Sequence, residues 1–362
     1  MATTEVITPW DKLKNSVGGM LVGIILIPVS FFLVFKAGHR EKASDVLNGA
    51  LPAAEAAKAE QQHLAVYATG KIQAELIGDD TYIRPGHYLV LNRSREIYAW
   101  KVKKTEKKDG NSTVVTYDCE LAWTSSPKSN IGSEKGCEGK YNPSFSIPEF
   151  EERHVSFTLN AGTSYTVPYS SSLSYYGLPG IEPSASDLTA DLKKEGGYFY
   201  PEAGCASSAR AGCERISYSG TSYSPDANYT VIGSLTGTTF GAFQTNYLAV
   251  GPDDYASTMG AIKSSDKMTT IILFACSVIA LTLGLSLLTG PILQLVEFIP
   301  FIGGFGAGAI RVVFFVFSLV LMGILFILIK FWYVVVILLV GFVAFLFWKK
   351  KQGASTAAGS ST

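Results

Sequence analysis

Histidine is scarce in this chain and never clustered: His39, His63, His87 and His154 stand far apart, and none sits at a metal-ligand spacing. There is no Gly-x-Ser-x-Gly elbow and no Cys-x-x-Cys pair. The first absence removes the nucleophile turn of the α/β-hydrolases, and the second removes the usual opening of a zinc site. A hydrolase needs a nucleophile beside a base and an orienting group, and no such set is legible. Charge is sparse at 17% and cancels, with 30 Lys+Arg against 30 Asp+Glu. Residues 37–268 carry 22 Lys/Arg against 27 Asp/Glu, so this segment is acidic and gives no reason to expect nucleic acid.

Long apolar runs are what the chain has in abundance. Spanning a bilayer takes about 20 apolar residues in helix. Val17–Phe35 and Thr269–Thr289 meet that length, and Ile310–Trp348 exceeds it. As one helix the last run would extend ~58 Å, nearly twice the ~30 Å hydrocarbon core. Lys330 lies in its middle, where a lone ammonium is costly unless it reaches the interface. A turn at Lys330 gives spans 310–329 and 331–348. The expected fold is a multi-pass α-helical membrane protein of four spans with a large β-rich α+β extracytoplasmic domain.

The spans divide the chain into a polar lead, 1–16, span 1 at 17–35, the outer domain at 36–268 and span 2 at 269–289. A Gly/Pro-rich interfacial or re-entrant loop, 290–309, precedes the last two spans, and 349–362 is a tail expected to be disordered. Lys349, Lys350 and Lys351 mark a cytoplasmic end. An even span count then places both termini inside and residues 37–268 outside. A retained anchor suits the first run better than a cleaved signal, because Lys36 occupies the place of the cleavage site.

Within the outer domain, Glu41–Ala50 and Ala53–Gln62 favour helix, divided by Pro52, and read as a solvated stalk over 41–62. Strands are expected from Leu64–Gly70, His87–Asn92, Glu96–Val102 and Thr113–Leu121 onward, with a short helix at Ser186–Glu195. About 230 residues suffice for a sizeable core.

Five cysteines occur, and Cys119, Cys137, Cys205 and Cys213 all fall in the outer domain. An even set in a translocated domain reads as disulfides, with Cys119–Cys137 and Cys205–Cys213 closing the shortest loops. Other pairings and a zinc site stand as alternatives. Cys276 lies within span 2 as a small apolar side chain.

The remaining motifs are weak as chemistry. Ser125-Ser126-Pro127-Lys128 satisfies Ser-x-x-Lys in a loop where chance supplies it. Asp79-Asp80 could hold a cation, but a solvated turn explains it more simply. Gly303-Gly304-Phe305-Gly306-Ala307-Gly308 lacks the lysine of a phosphate loop. Its pairs Gly303/Ala307 and Gly304/Gly308 suit close helix packing in lipid. Glu297, Arg311 and Lys330 sit near span ends, not mid-span as in a transporter. Tyr98 and Trp100 near Arg93 and Arg95 read as strand packing before they read as a ligand face.

Four stretches carry a resemblance to a known family. They are Val66–Gly70 with Arg93-Ser94-Arg95-Glu96-Ile97-Tyr98-Ala99-Trp100; Tyr117, Trp123 and Asn142-Pro143-Ser144; Glu214-Arg215-Ile216-Ser217-Tyr218; and Pro300-Phe301-Ile302-Gly303. In these the chain resembles the transmembrane protein 43 (LUMA) family over roughly residues 15–350. The motif positions are Gly70, Glu96, Tyr98, Trp100, Trp123, Asn142, Pro143, Arg215 and Tyr218. Ile97, Ala99 and Cys213-Glu214 depart from the family pattern, and the two cysteine pairs look like additions.

The resemblance implies a membrane organiser with its large domain in the lumen and no settled catalytic residues. The expected function is a non-enzymatic scaffold that self-associates as a homo-oligomer and partners membrane lipids and other membrane proteins. It uses no cofactor or metal. An accessory subunit of a transporter or channel is the second reading, and a membrane-bound hydrolase the third.

Overall fold

The computed structural model describes residues 3–7, 9–109, 112–184, 187–189, 192–290, 303–331 and 340. They form two units, one of residues 1–7 and 42–266, the other of residues 8–41 and 267–362. In chain order the first elements are β1 (Thr3–Ile7), α1 (Pro9–His39), α2 (Ala43–Val46), β2 (Leu51–Pro52) and α3 (Ala56–Gln61). Strands follow: β3 (Val66–Ala74), β4 (Tyr88–Asp109), β5 (Ser112–Thr124), β6 (Arg153–His154), β7 (Phe157–Ala161), β8 (Thr163–Val167) and β9 (Leu173–Tyr175). Then come β10 (Lys193–Glu195), β11 (Tyr198–Tyr200), α4 (Gly204–Ser207), β12 (Glu214–Ser222), β13 (Asn228–Thr236), β14 (Thr239–Gly241) and β15 (Leu248–Pro252). Two long helices complete the set, α5 (Tyr255–Leu288) and α6 (Gly303–Lys330).

The strands make two sheets. In one, β3 pairs with both β7 and β13, and β8 links β7 to β14, which returns to β13. These pairings close a five-membered barrel, so none of its strands is left with an open edge. Its interior is apolar: Val66, Ala68, Ile72, Phe157, Leu159, Val231 and Phe240 are buried together. Gly70 lies where β3 passes closest to β7. A Cβ there would stand 2.1 Å from the Asn160 carbonyl oxygen, so a side chain cannot be housed without moving backbone.

The second sheet is open, in the order β1-β5-β4-β12-β11-β10, with β6 also on β4. The sequence suggested a break in β4 at Arg93-Ser94-Arg95, yet one strand runs through it. Arg93 and Arg95 share a face, and each meets a carboxylate, Asp79 and Glu149 respectively, at 2.7 Å. With the charge matched, the strand has no reason to end.

Several expectations need correction. Among the described residues three helices, α1, α5 and α6, are long and apolar enough to cross a membrane, not four. The expected span 331–348 falls almost wholly outside the described residues, as do the tail and residues 291–302. Helix α6 begins at Gly303, so the expected 290–309 loop ends earlier than its glycines suggested. Glycine weakens a helix but does not forbid one.

The 41–62 segment is not a solvated stalk. Leu47 and Ala59 are fully buried, β2 pairs with β3, and the Ser44 N–H donates to the Asp266 carboxylate at 2.8 Å. Alanine-rich helices pack closely because they carry little side chain. Lys193–Glu195 is a strand against β11 and not the end of a helix. The polar lead supplies β1, paired with β5 from Thr3↔Tyr117 to Ile7↔Thr113.

In the helical unit, Val34, Val278, Leu281 and Met322 form a common core. Glycine sets the approach of α1 to α5. A Cβ on Gly23 would lie 2.8 Å from the Gly284 carbonyl oxygen, and one on Gly284 would lie 3.3 Å from that of Gly23. A Cβ on Gly38 would meet the Ile329 side chain at 2.5 Å, so the Lys330 end of α6 lies beside the His39 end of α1.

Candidate functional site

Most of the family-motif side chains converge on β4, β5 and β12. Arg215 on β12 donates from Nε to Glu96 on β4 at 2.7 Å, in a register that places the two residues opposite each other. Its guanidinium lies 3.6 Å from the Tyr198 ring centroid and 4.3 Å from that of Trp123. Trp123 in turn touches Tyr98 and Tyr200 at 5.1 and 5.8 Å between centroids. A planar cation held between aromatic faces and paired with a carboxylate is a rigid joint between strands. Trp100 is held differently. Asn142 accepts the Trp100 N–H at 2.7 Å and donates to the Trp100 carbonyl at 3.0 Å, so its amide replaces a missing neighbour strand.

Beneath this joint is a buried charge network. One oxygen of Asp79 accepts the backbone N–H groups of Thr81, Tyr82 and Ile83. The other accepts from Arg93 at 2.7 Å and from the Tyr218 hydroxyl at 2.6 Å. Arg93 also donates to the Pro148 carbonyl and lies between the Tyr82 and Phe150 rings, 5.2 Å from each centroid. Burial alone would raise the Asp79 carboxyl, but Tyr218, the Ile83 and Tyr82 amides and Arg93 together hold it below its ordinary value. Burial first, then the hydrogen bond to Asp79 and its charge, pushes the Tyr218 hydroxyl up, so it stays protonated and donates. Glu214 accepts the Ser146 and Ile147 amides at 2.6 and 2.9 Å and pins the same loop from the other side.

That loop walls an open groove of about 480 Å³ lined by Arg95, Ser125, Tyr141, Asn142, Phe145 and Glu149, among others. Arg95 stacks 4.3 Å from the Phe145 centroid and donates to the Ile147 carbonyl and Glu149. Tyr141 is 71% exposed, so the groove offers an aromatic, a cation and hydroxyls to a partner surface.

Other sequence candidates fall elsewhere. Lys128 is engaged with Glu134 at 2.9 Å, away from a dyad role with Ser125. Asp79 was legible only as half of a turn; its burial needed Arg93 and Tyr218, which no local pattern connects to it. Asp80 lies apart on the surface, paired with Arg153. Cys119 is bonded to Cys137 and Cys205 to Cys213. Glu202 lies with the second pair, all three ligand atoms within 4.8 Å, but the two sulfurs are committed to each other. Gly303, Gly304, Ala307 and Gly308 occupy the first turns of α6. Sequence reasoning passed over Gly23, Gly38 and Gly284, whose signal was a glycine within an apolar run.

A family model described as Transmembrane protein 43 matches residues 97–335. No curated protein and no solved structure matches the chain.

Proposed function

The chain belongs to the transmembrane protein 43 family, and from that membership we propose a non-enzymatic membrane scaffold with its disulfide-closed domain outside the cytoplasm. The family is not known as an enzyme family. The observation that carries the reading is the use made of the motif residues. Arg215 bonds to Glu96 between β12 and β4, Tyr218 to the Asp79 carboxylate and Asn142 to the Trp100 backbone, so their heads are spent inside the domain. They stiffen a surface and present no convergent set of reactive groups. A stiff, pre-organised face loses little entropy on association, which is what a docking platform needs.

Three apolar helices hold this platform at a membrane, and the bonded cysteines suit an oxidising compartment. Partners are other membrane proteins, lipids and further copies of the chain. The small residues Gly303, Gly304, Ala307 and Gly308 offer one helix surface for association in lipid. The groove beside Tyr141 offers a second surface outside it.

The test is purification of the full chain in mild detergent from the cells that make it, with quantitative identification of what accompanies it. Tyr141→Asp should lose a share of the accompanying membrane proteins while both disulfides stay formed. Gly304→Leu with Gly308→Leu should reduce self-association. A wild-type chain that purifies alone, or a covalent adduct with a hydrolase activity probe, overturns the reading.

A further inference from the structure

Cations gather at one end of the helical unit. Lys36 and His39 stand in the last turn of α1, and Lys330 closes α6. The close approach of Gly38 to Ile329 sets those two helix ends side by side. A Cβ on Gly19 would meet Leu287 and one on Gly284 would meet Ile27, so α5 runs antiparallel to α1. Lys267 precedes Gly284 by as many residues as Arg40 follows Gly23, the partner of Gly284 on α1, and so lies at the same end.

Two of these lysines share one groove. The Phe274 and Phe326 rings meet at 5.6 Å between centroids and join α5 to α6. Lys267 stands about two turns before Phe274 and Lys330 about one turn after Phe326, each near the helix face of its phenylalanine. Both steps lead toward the His39 end, so two lysines flank the mouth of a groove floored by aromatic rings. Both are exposed, and neither has a carboxylate partner among the described residues. Asp266, the acid next to Lys267, is buried and accepts the Ser44 N–H at 2.8 Å. Beside the groove the helix surfaces are apolar and exposed, with Ile271 and Ile272 on α5 and Ile327 and Leu328 on α6.

A single lysine at a span end only carries its charge to the water. Two lysines from different helices at one groove repel each other unless an anion joins them. In a bilayer the neighbour of an exposed apolar helix face is a lipid chain, and above that chain lies its headgroup.

We propose that Lys267 and Lys330 form a headgroup site for an anionic phospholipid. The phosphate bridges the two ammonium groups, and an acyl chain runs down the α5–α6 groove over Phe274 and Phe326. A zwitterionic lipid offers the same chains but brings its own cation, which competes with the lysines for the phosphate. The site is the same whichever side of the membrane this end faces. It names the lipid partner of the proposed function and rests only on the membrane anchoring in that reading, not on the scaffold role.

The test uses the full chain in detergent with equal amounts of a phosphatidylglycerol and a phosphatidylcholine of identical chains, and native mass spectrometry reads what is retained. The wild type should retain the anionic lipid in preference. Lys267→Gln with Lys330→Gln should lower that preference by roughly tenfold or more, since one basic residue at a membrane surface contributes about fivefold. Lys267→Arg with Lys330→Arg should keep it. Lys36→Gln with Arg311→Gln removes the same charge outside the groove and should leave the preference unchanged. Far-ultraviolet circular dichroism checks that each variant is folded. A short-chain phosphatidylglycerol should be retained less than the full-length lipid, and inorganic phosphate should not displace it. Equal retention of both lipids by the wild type, an equal loss in the two glutamine pairs, or displacement by inorganic phosphate overturns the proposal. Protein complexes held by a chain with no lipid preference would remove this site and leave the scaffold. A lipid preference in a chain that purifies without protein partners would do the opposite.

Discussion

Asp79 carries more of the outer domain than any sequence pattern around it suggests. Its carboxylate neutralises an arginine whose side chain is 2% exposed, and removing one member of such a pair leaves the other buried and uncompensated. Asp79→Asn should destabilise the domain by about 3–5 kcal/mol in urea unfolding followed by tryptophan fluorescence. The pH dependence follows from the lowered carboxyl. With a folded-state value below 3.8, its stabilisation is fully present above the ordinary carboxylate range and is lost as pH falls through the folded value. Asp79→Asn should therefore be flatter than wild type in that acid window; equal slopes would mean that Asp79 is not the coupled group. Arg215→Lys keeps the charge but loses the planar stack on Trp123 and Tyr198, and about 1–2 kcal/mol should go with it. These roles were half legible. Arg215, Glu96 and Trp123 could be recognised as motif residues, but that they form one joint depends on the β4–β12 register, a long-range pairing that no window of sequence contains.

At the scale of elements, periodicity located most strands and misjudged what they join. Leu64–Gly70 overlaps β3 from Val66 onward and Thr113–Leu121 falls within β5, since alternation reports a half-buried strand directly. It says nothing of barrel closure, which rests on β3 meeting β13 across more than a hundred residues. The 41–62 helices were misplaced as a stalk for a similar reason: alanine reads as helix former but is silent on burial. The Cys119–Cys137 bond ties the loop that follows β5 back onto the strand, so Cys119→Ser with Cys137→Ser should cost about 2–4 kcal/mol. Protease cleavage between residues 125 and 140 should become faster in the same variant. In the helical unit, Gly23→Leu should separate α1 from α5, because the added side chain meets the Gly284 carbonyl, whereas Gly18→Leu has open space. A lower thermal midpoint for Gly23→Leu alone, by far-ultraviolet circular dichroism in detergent, is the expected result. Equal midpoints would remove the close glycine contact from the account.

For the whole molecule, the central claim is a membrane-held, extracytoplasmic β domain that works by assembling other proteins. Apolar run length pointed to the membrane, and the bonded cysteines suit an oxidising, extracytoplasmic domain. Among the described residues the span count is three and not the expected four, the expected fourth, 331–348, lying almost wholly outside them. Assembly is a property of surfaces, which one chain's sequence encodes only indirectly: a groove beside Tyr141 and a run of small residues at Gly303–Gly308. Native mass spectrometry of the wild-type chain, released from lipid nanodiscs drawn directly from its own membrane, tests the claim most directly. The account predicts a discrete mass above that of the 39.0 kDa chain, made of further copies or a defined membrane partner. A population at the single-chain mass, with both disulfides intact and nothing bound but lipid, would contradict it.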